Sequence, residues 1–215
     1  MAIKGSGTVL AVGSAVSGSA IAITAATKAS PCVLTTAVQA FSVNDIAVVT
    51  GVLGMTDINN RAFALDTTAS PSTKKATLQG VDSTAYGTYV SGGTIQKYTM
   101  TTIGSVKTAK GFDGQSSEID STNLASKAKE FLLGLQDFGQ VTMDLIVDNT
   151  DAGQTYLRIA KEQQLIIPFS ITLSNGDITA FMAGVKQFSF DGVQPDGIVT
   201  GSVSLRVSNE PAWFA

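Results

Sequence analysis

Histidine is absent from this 215-residue chain, and cysteine and tryptophan occur once each. Without histidine there is no Ser-His-Asp or Cys-His constellation, few ways to hold a transition metal, and no ordinary general base near neutral pH. A single cysteine, Cys32, excludes an internal disulfide framework and a Cys-based zinc site. Standing next to Pro31 at the start of an apolar run, it reads as a small buried residue. Charge is thin as well. Fourteen Lys and Arg against 17 Asp and Glu leave a formal charge of −3, so no basic grip on nucleic acid is indicated. No apolar run approaches the ~20 residues of a membrane-spanning helix. The opening residues carry one lysine and mildly apolar side chains, but Gly5, Ser6, Gly7, Gly13, Ser14 and Ser17 break any continuous apolar segment. They read as an arm and a strand rather than a signal peptide, and the expected place of synthesis is the cytoplasm of the producing cell.

Catalytic motifs are missing too. Gly5-Ser6-Gly7 opens no dinucleotide fingerprint, because position 10 is Leu. Asp113, Glu118 and Asp120 could pair as glycosidase carboxylates, but a solvated loop and an outward strand face explain them better. Asp148, Asn149 and Asp151 lack the ligand spacing of a calcium loop and read as turn residues with a helix N-cap. The expectation is a protein that is not an enzyme and carries no cofactor or metal.

What is present is β patterning. "PCVLTTAV", "DIAVVTGV", "RAFALDTT", "KKATLQG" and "GTIQKYTM" are rich in Val, Ile, Thr and aromatics and are separated by Gly, Asn-Asn and Ser-Pro turns. "GQVTMDLIV", "QLIIPFSITL", "ITAFMAGVKQFSF" and "GIVTGSVSLRVS" continue with alternation. Pro168 within "QLIIPFSITL" is expected to point out and make that strand an edge or a bulge. Ser174 to Asp177 reads as a hairpin turn. Two segments break the pattern. Leu124, Ala128, Phe131, Leu132 and Leu135 fall at helical spacing, which predicts a short amphipathic helix capped by Ser126 and ended by Gly134 or Gly139. Asp151 to Gln154 is box-like and predicts a second helix burying Tyr156, Leu157 and Ala160. The fold class is therefore mainly β, an antiparallel sandwich or barrel flanked by short helix. It is expected to comprise residues 1–20 and 99–215, with residues 21–98 as an inserted small all-β module.

Two aromatic features invite a contact role. Phe112 lies between Gly111 and Gly114 in "KGFDGQSS", and Trp213-Phe214 end the chain after Pro211. Terminal or loop aromatics either fold onto their own core or anchor into a neighbour. Lys110, Phe112, Asp113, Gln115, Trp213 and Phe214 are the candidate interface residues.

The order of features resembles the tail tube proteins of long-tailed, lambda-like bacteriophages. The most specific pieces are Ile119-Asp120 with Thr122-Asn123-Leu124, then Ala128 to Phe131, Gly134-Leu135, Asp137-Phe138-Gly139, and the last strand Ser204 to Ser208. Residues 21–98 depart from the minimal pattern and look like a small β module seen in phage tail proteins. The resemblance implies a structural virion protein located in the tail and made in the host bacterium. Its copies would form rings, typically hexameric, stacked into a tube that passes DNA without binding it specifically. It implies as partners the protein itself, a tail terminator and tail-tip proteins, and no membrane. The first predicted helix would pack on the outer side of the sheet. A tube subunit of a contractile injection system is the nearest alternative. A surface adhesin or carbohydrate-binding β protein is the alternative from another class, resting on Phe41, Phe63, Tyr86, Tyr89 and Tyr98.

Overall fold

A computed structural model describes residues 3–38, 41–66, 74–192 and 197–213. In chain order the strands are β1 (Val9–Ala26), β2 (Cys32–Thr36), β3 (Ile46–Leu53), β4 (Arg61–Asp66) and β5 (Lys75–Leu78). Then come β6 (Ser91–Thr102), β7 (Val106–Gly111), β8 (Ser116–Asp120), β9 (Phe131–Gln136) and β10 (Gln140–Ile146). The single described α-helix, α1 (Ala152–Glu162), precedes β11 (Ile166–Thr172), β12 (Ile178–Gly192) and β13 (Thr200–Val207). Eleven strands form one sheet in the order β2-β5-β4-β3-β6-β1-β11-β12-β13-β10-β7, and β8 and β9 pair only with each other. All the pairings are antiparallel.

The alternation read from the sequence decides which side of the sheet is buried. Leu10 and Val12 of β1, Phe169 of β11, Phe181 and Ala183 of β12, Val203 and Leu205 of β13, and Val141, Met143 and Leu145 of β10 share one core. Leu157 and Ala160 of α1 close over it, with Tyr156 half-buried at its margin. Asp151 caps that helix: its side chain accepts from the Gln154 N–H at 2.7 Å, as the box-like sequence predicts. Gln154 is itself buried. Its amide donates to the carbonyls of Gly104 (3.0 Å) and Ile146 (2.9 Å), and its oxygen accepts from the Asp148 N–H (2.9 Å). One side chain thus satisfies three backbone groups on two connections.

A second core lies among β2 to β6, around Leu34, Val49, Phe63, Leu65, Leu78 and Ile95. A third cluster joins the two. Ile46, Val48, Ala62 and Ala64 pack against Ile178, Ala180 and Met182, on the side of β12 away from the first core. The first half of β12 is therefore covered on both sides, and its residues read as a nearly unbroken apolar run. Strands β1 and β6 run unbroken between the two cores. β1 accommodates this with register shifts after Gly13 and Ser17, and the Gln96 amide donates to the Ser17 and Gly18 carbonyls, both at 3.2 Å, pinning the second shift.

Two expectations are corrected. Residues 124–135 are not helical. Ile119 pairs with Leu132 and Asp120 with Phe131 in a two-stranded ribbon, and residues 121–130 turn between its strands. The apolar residues at helical spacing face water instead of a sheet, so no buried face exists to fix a helix. Ser126 and Gly134 accordingly cap nothing helical, and it is α1 that packs on the sheet.

Pro168 is buried and β11 is internal, paired with β1 on one side and β12 on the other. The β1–β11 register ends at Val12↔Phe169, one residue before Pro168 would need a partner. Gly13 makes the room: a Cβ there would lie 2.6 Å from Pro168 Cγ and 3.2 Å from its carbonyl oxygen. Since the proline ring cannot swing away, Gly13→Ala should cost roughly 1–3 kcal/mol and lower the melting temperature by about 5 °C. An unchanged calorimetric midpoint would contradict this account.

Candidate assembly surface

The first-core sheet curls until β7 returns toward the start of β1. No strand pairs with the outer edge of β7 among the described residues. The gap left between them is a groove of about 490 Å³, with Leu10, Val141, Ile171 and Leu173 on its floor and β7 as one wall. Ala109 and Gly111, opposite Met143 and Val141 on the core side of β7, are nonetheless exposed. The barrel is open at this seam.

The ribbon β8–β9 projects beyond the sheet from the ends of β7 and β10. The neck is held by its backbone. Phe112 N–H donates to Gln140 O (3.1 Å), Gln140 N–H to Asp113 Oδ1 (2.8 Å), and Asp137 N–H to Gln115 O (3.0 Å). Ribbon registry then sorts the side chains. Ser117 and Ile119 lie with Leu132 and Gly134 on one face, while Glu118 and Asp120 lie with Phe131 and Leu133 on the other, and the register shifts between Ser116 and Glu118 before Leu135 is reached. Phe131, Leu133 and Leu135 are 51, 77 and 90% exposed. Leu124, in the turn, is fully exposed. Isolated surface leucines are common; a ribbon of them on an ordered projection marks an interaction site.

The sequence-derived candidates gather at the neck, not at the ribbon. Phe112 is half-buried, edge-on to Phe181 (5.1 Å between centroids) and to Trp213 (4.8 Å). It adopts a positive φ of 59°, and the tip of the excursion lies beyond it at residues 121–130. Lys110, Asp113 and Gln115 are exposed. Trp213 is about half exposed at the base of the ribbon, and Phe214 lies outside the described residues. Leu133 is not among those candidates, because it falls off the helical stripe. Its alternation with Phe131 and Leu135 was the signal that pointed to it.

The chain end is fastened to the second core. Arg61, almost fully buried, pairs with Glu210 Oε2 (3.0 Å), donates to Glu210 O (3.1 Å) and Tyr86 Oη (3.0 Å), and lies over the Phe63 ring. Ala212 then bridges to Ala180. At the neck, Asp137 accepts from Gly139 N–H (2.8 Å) and Arg206 Nη2 (2.7 Å). These bonds, the backbone one foremost, hold its carboxyl below the ordinary value of 3.8. A depressed folded pKa means the contribution is complete above the ordinary value and lost as pH falls through the lower one. The neck should therefore stay closed through the mildly acidic range. An NMR titration of the Asp137 carboxyl carbon with its midpoint at the ordinary value would contradict this.

Away from the neck, β7, β10, β13 and the second half of β12 present a polar outer face. Thr142 stands beside Lys110 and Ser204, Asp144 beside Thr108 and Ser202, and Gln140 beside Arg206. No group of three or more potential metal ligands occurs among the described residues. Cys32 is buried, and burial raises its thiol pKa, the opposite of an activated nucleophile. In the second core Phe41 and Phe63 are buried and Tyr86 and Tyr89 half-buried, and Tyr98 is half-buried against the third cluster, so none offers the open ring face that sugar stacking needs.

The chain is similar to a component of the virion of a native gene transfer agent particle. The two are 14% identical, with a TM-score of 0.46 over 54% of this chain and 88% of that one. It is similar to a component of the tail of an empty gene transfer agent particle, refined with C6 symmetry (12% identity, TM-score 0.45, 54% and 87% covered). A chain from the sixfold-symmetrised baseplate of the anti-feeding prophage is similar at 7% identity, with a TM-score of 0.42 and 80% and 94% covered. No curated protein sequence matches. One family does, described as phage tail tube, lambda-like, and the match runs from residue 89 to residue 188, from just before β6 to well into β12. That stretch is similar to the lambda-like phage tail tube family, and the strands on either side of it are built onto the same sheet.

Proposed function

We propose that the protein is a structural subunit of a tail tube, whose copies join into rings and whose rings stack into a channel for DNA. The observation that carries this reading, beside the family match, is the apolar ribbon standing in water. Burying Phe131, Leu133 and Leu135 would contribute about 6 kcal/mol in all, at roughly 2 kcal/mol for each large side chain. A single copy gains none of it. Six subunits per ring is the number the family resemblance implies, and a tail terminator and tail-tip proteins would bound the stack.

The polar face of β7, β10 and β13 suits the channel wall. Its hydroxyls and amides stay hydrated, and it lacks the dense basic stripe that would hold phosphates. The β2–β6 core packs on another sector of the sheet's outside, over β11 and β12, which supports its reading as a decoration directed away from that wall. Negative-stain microscopy over a concentration series, beside light scattering, tests the assignment. Rings or hollow tubes are expected. A protein that stays monomeric even with an assembled tail tip supplied would overturn it.

A further inference from the structure

We propose that Arg61, at the start of β4, positions the neck of the ribbon through a strap formed by residues 208–213. The strap continues β13 and touches three parts of the molecule in turn. At its root, Val207 N–H donates to Gly139 O of the neck (3.1 Å) and Ser208 N–H to Met182 O of β12 (2.9 Å). Asn209 and Glu210 then meet the β2–β6 region. The Asn209 amide donates to Asn60 O, and the Arg61 fork takes both the carboxylate and the carbonyl of Glu210. Pro211 and Ala212 are buried, and Ala212 exchanges a bond in each direction with Ala180 (2.9 and 3.2 Å). Trp213 finally packs on Phe112, where the chain leaves β7 for the ribbon.

Burial gives the direction of control. Arg61 is 5% exposed and is held from behind by Asp57 O (3.2 Å), Tyr86 Oη (3.0 Å) and the Phe63 ring. A buried guanidinium is costly to leave without its carboxylate, so Arg61 holds Glu210 in one place. Phe112 is the movable end. It is half-buried and edge-on to Phe181 on one contact and Trp213 on the other, so the strap supplies one of its two aromatic supports. Two hollows flank the strap. One of about 240 Å³ is lined by Asp57, Arg61 and Tyr86, and one of about 200 Å³ by Gly114, Gln136 and Trp213; Phe138 and Glu210 line both. Around Glu210 the strap therefore has open space on two sides, and bonds rather than close packing decide where it stands.

Trp213 is the single tryptophan of the chain, so its fluorescence follows the strap directly. Arg61→Lys keeps the charge and loses the fork. Asn209→Ala with Glu210→Ala removes the strap's half of the contact from side chains outside the three core clusters, so this variant keeps its fold. Lys97→Met breaks the Lys97–Asp45 ion pair, which does not touch the strap, and is the control. In both test variants Trp213 emission should move to the red and acrylamide should quench it more readily. The Phe112, Asp137 and Gln140 amides of the neck should exchange roughly tenfold faster. The Ser121 amide, bonded to Glu130 O at the other end of the ribbon, should keep its rate, because the ribbon shifts as a unit. The control should match the parent. A red-shifted Trp213 beside unchanged neck exchange would overturn the inference, since the strap would then move without the neck. Unchanged emission and exchange in both variants would overturn it too, as would acceleration spread evenly over the neck, Ser121 and the amides of β10 and β13. Each measurement is made on the separate subunit, so these outcomes leave the tube assignment standing.

Discussion

Replacing Leu133 and Leu135 together by aspartate is expected to raise the concentration needed for assembly by about a thousandfold, since two central apolar contacts are worth roughly 2 kcal/mol each. The same change should leave the unfolding midpoint of the isolated subunit within a few degrees. The reason lies in where these side chains stand. They are 77 and 90% exposed on a ribbon that pairs with nothing but itself, so the monomer core does not use them. Stability and assembly are therefore separable at this element. Sedimentation velocity gives the first quantity and thermal denaturation the second. A large loss of subunit stability would mean that the ribbon folds back onto its own chain, and unaltered assembly would mean that the interface lies elsewhere.

Gln154→Leu should have the opposite profile, with a loss of stability of about 3–5 kcal/mol, because each buried polar group left without a partner costs roughly 1–3 kcal/mol. The leucine fills nearly the same volume but leaves the carbonyls of Gly104 and Ile146 and the Asp148 N–H unpaired. Gln154→Glu should be as harmful, since it turns a donor into an acceptor facing two carbonyls. Urea denaturation of both variants gives the result. If the leucine variant lost less than about 1 kcal/mol, solvent would have to reach these three groups. Neighbouring Gly153 enforces the same docking: a Cβ there would meet the Thr102 carbonyl oxygen at 2.3 Å, so α1 lies directly on the end of β6.

The sequence was readable wherever one side of an element is buried within the single chain. Val141, Met143 and Leu145 alternate because Thr142 and Asp144 face out, and α1 was visible from its cap and from Leu157 and Ala160. Its Gln154 was visible only as a capping residue; that it ties together two connections depends on a strand end fifty positions earlier. Pro168 misled for a similar reason, since the glycine that excuses it lies on β1, distant in sequence. The ribbon failed in another way. Periodicity reports a buried face, and in the lone subunit residues 116–136 have none. Leu124, Phe131, Leu132 and Leu135 fit a helix on paper, while Phe131, Leu133 and Leu135 fit a strand. Chain pairing with Ser116 to Asp120 decides between them. The seam was not legible at all, because it is defined by the pairing β7 does not make.

The continuity of β1 and β6 has a mechanical consequence. At about 3.3 Å per residue, the 18 residues of β1 span roughly 60 Å and the 12 of β6 roughly 40 Å. β1 enters both cores without a linker, β6 runs from Ile95 in the second to its end beside Ile103 in the first, and the pair are hydrogen-bonded to one another on both sides of the bulges. The β2–β6 region is thus a lever welded to the first-core sheet, and not a load on a tether. A pull or a twist applied to it is delivered as torque to β11, β12 and the strands beyond.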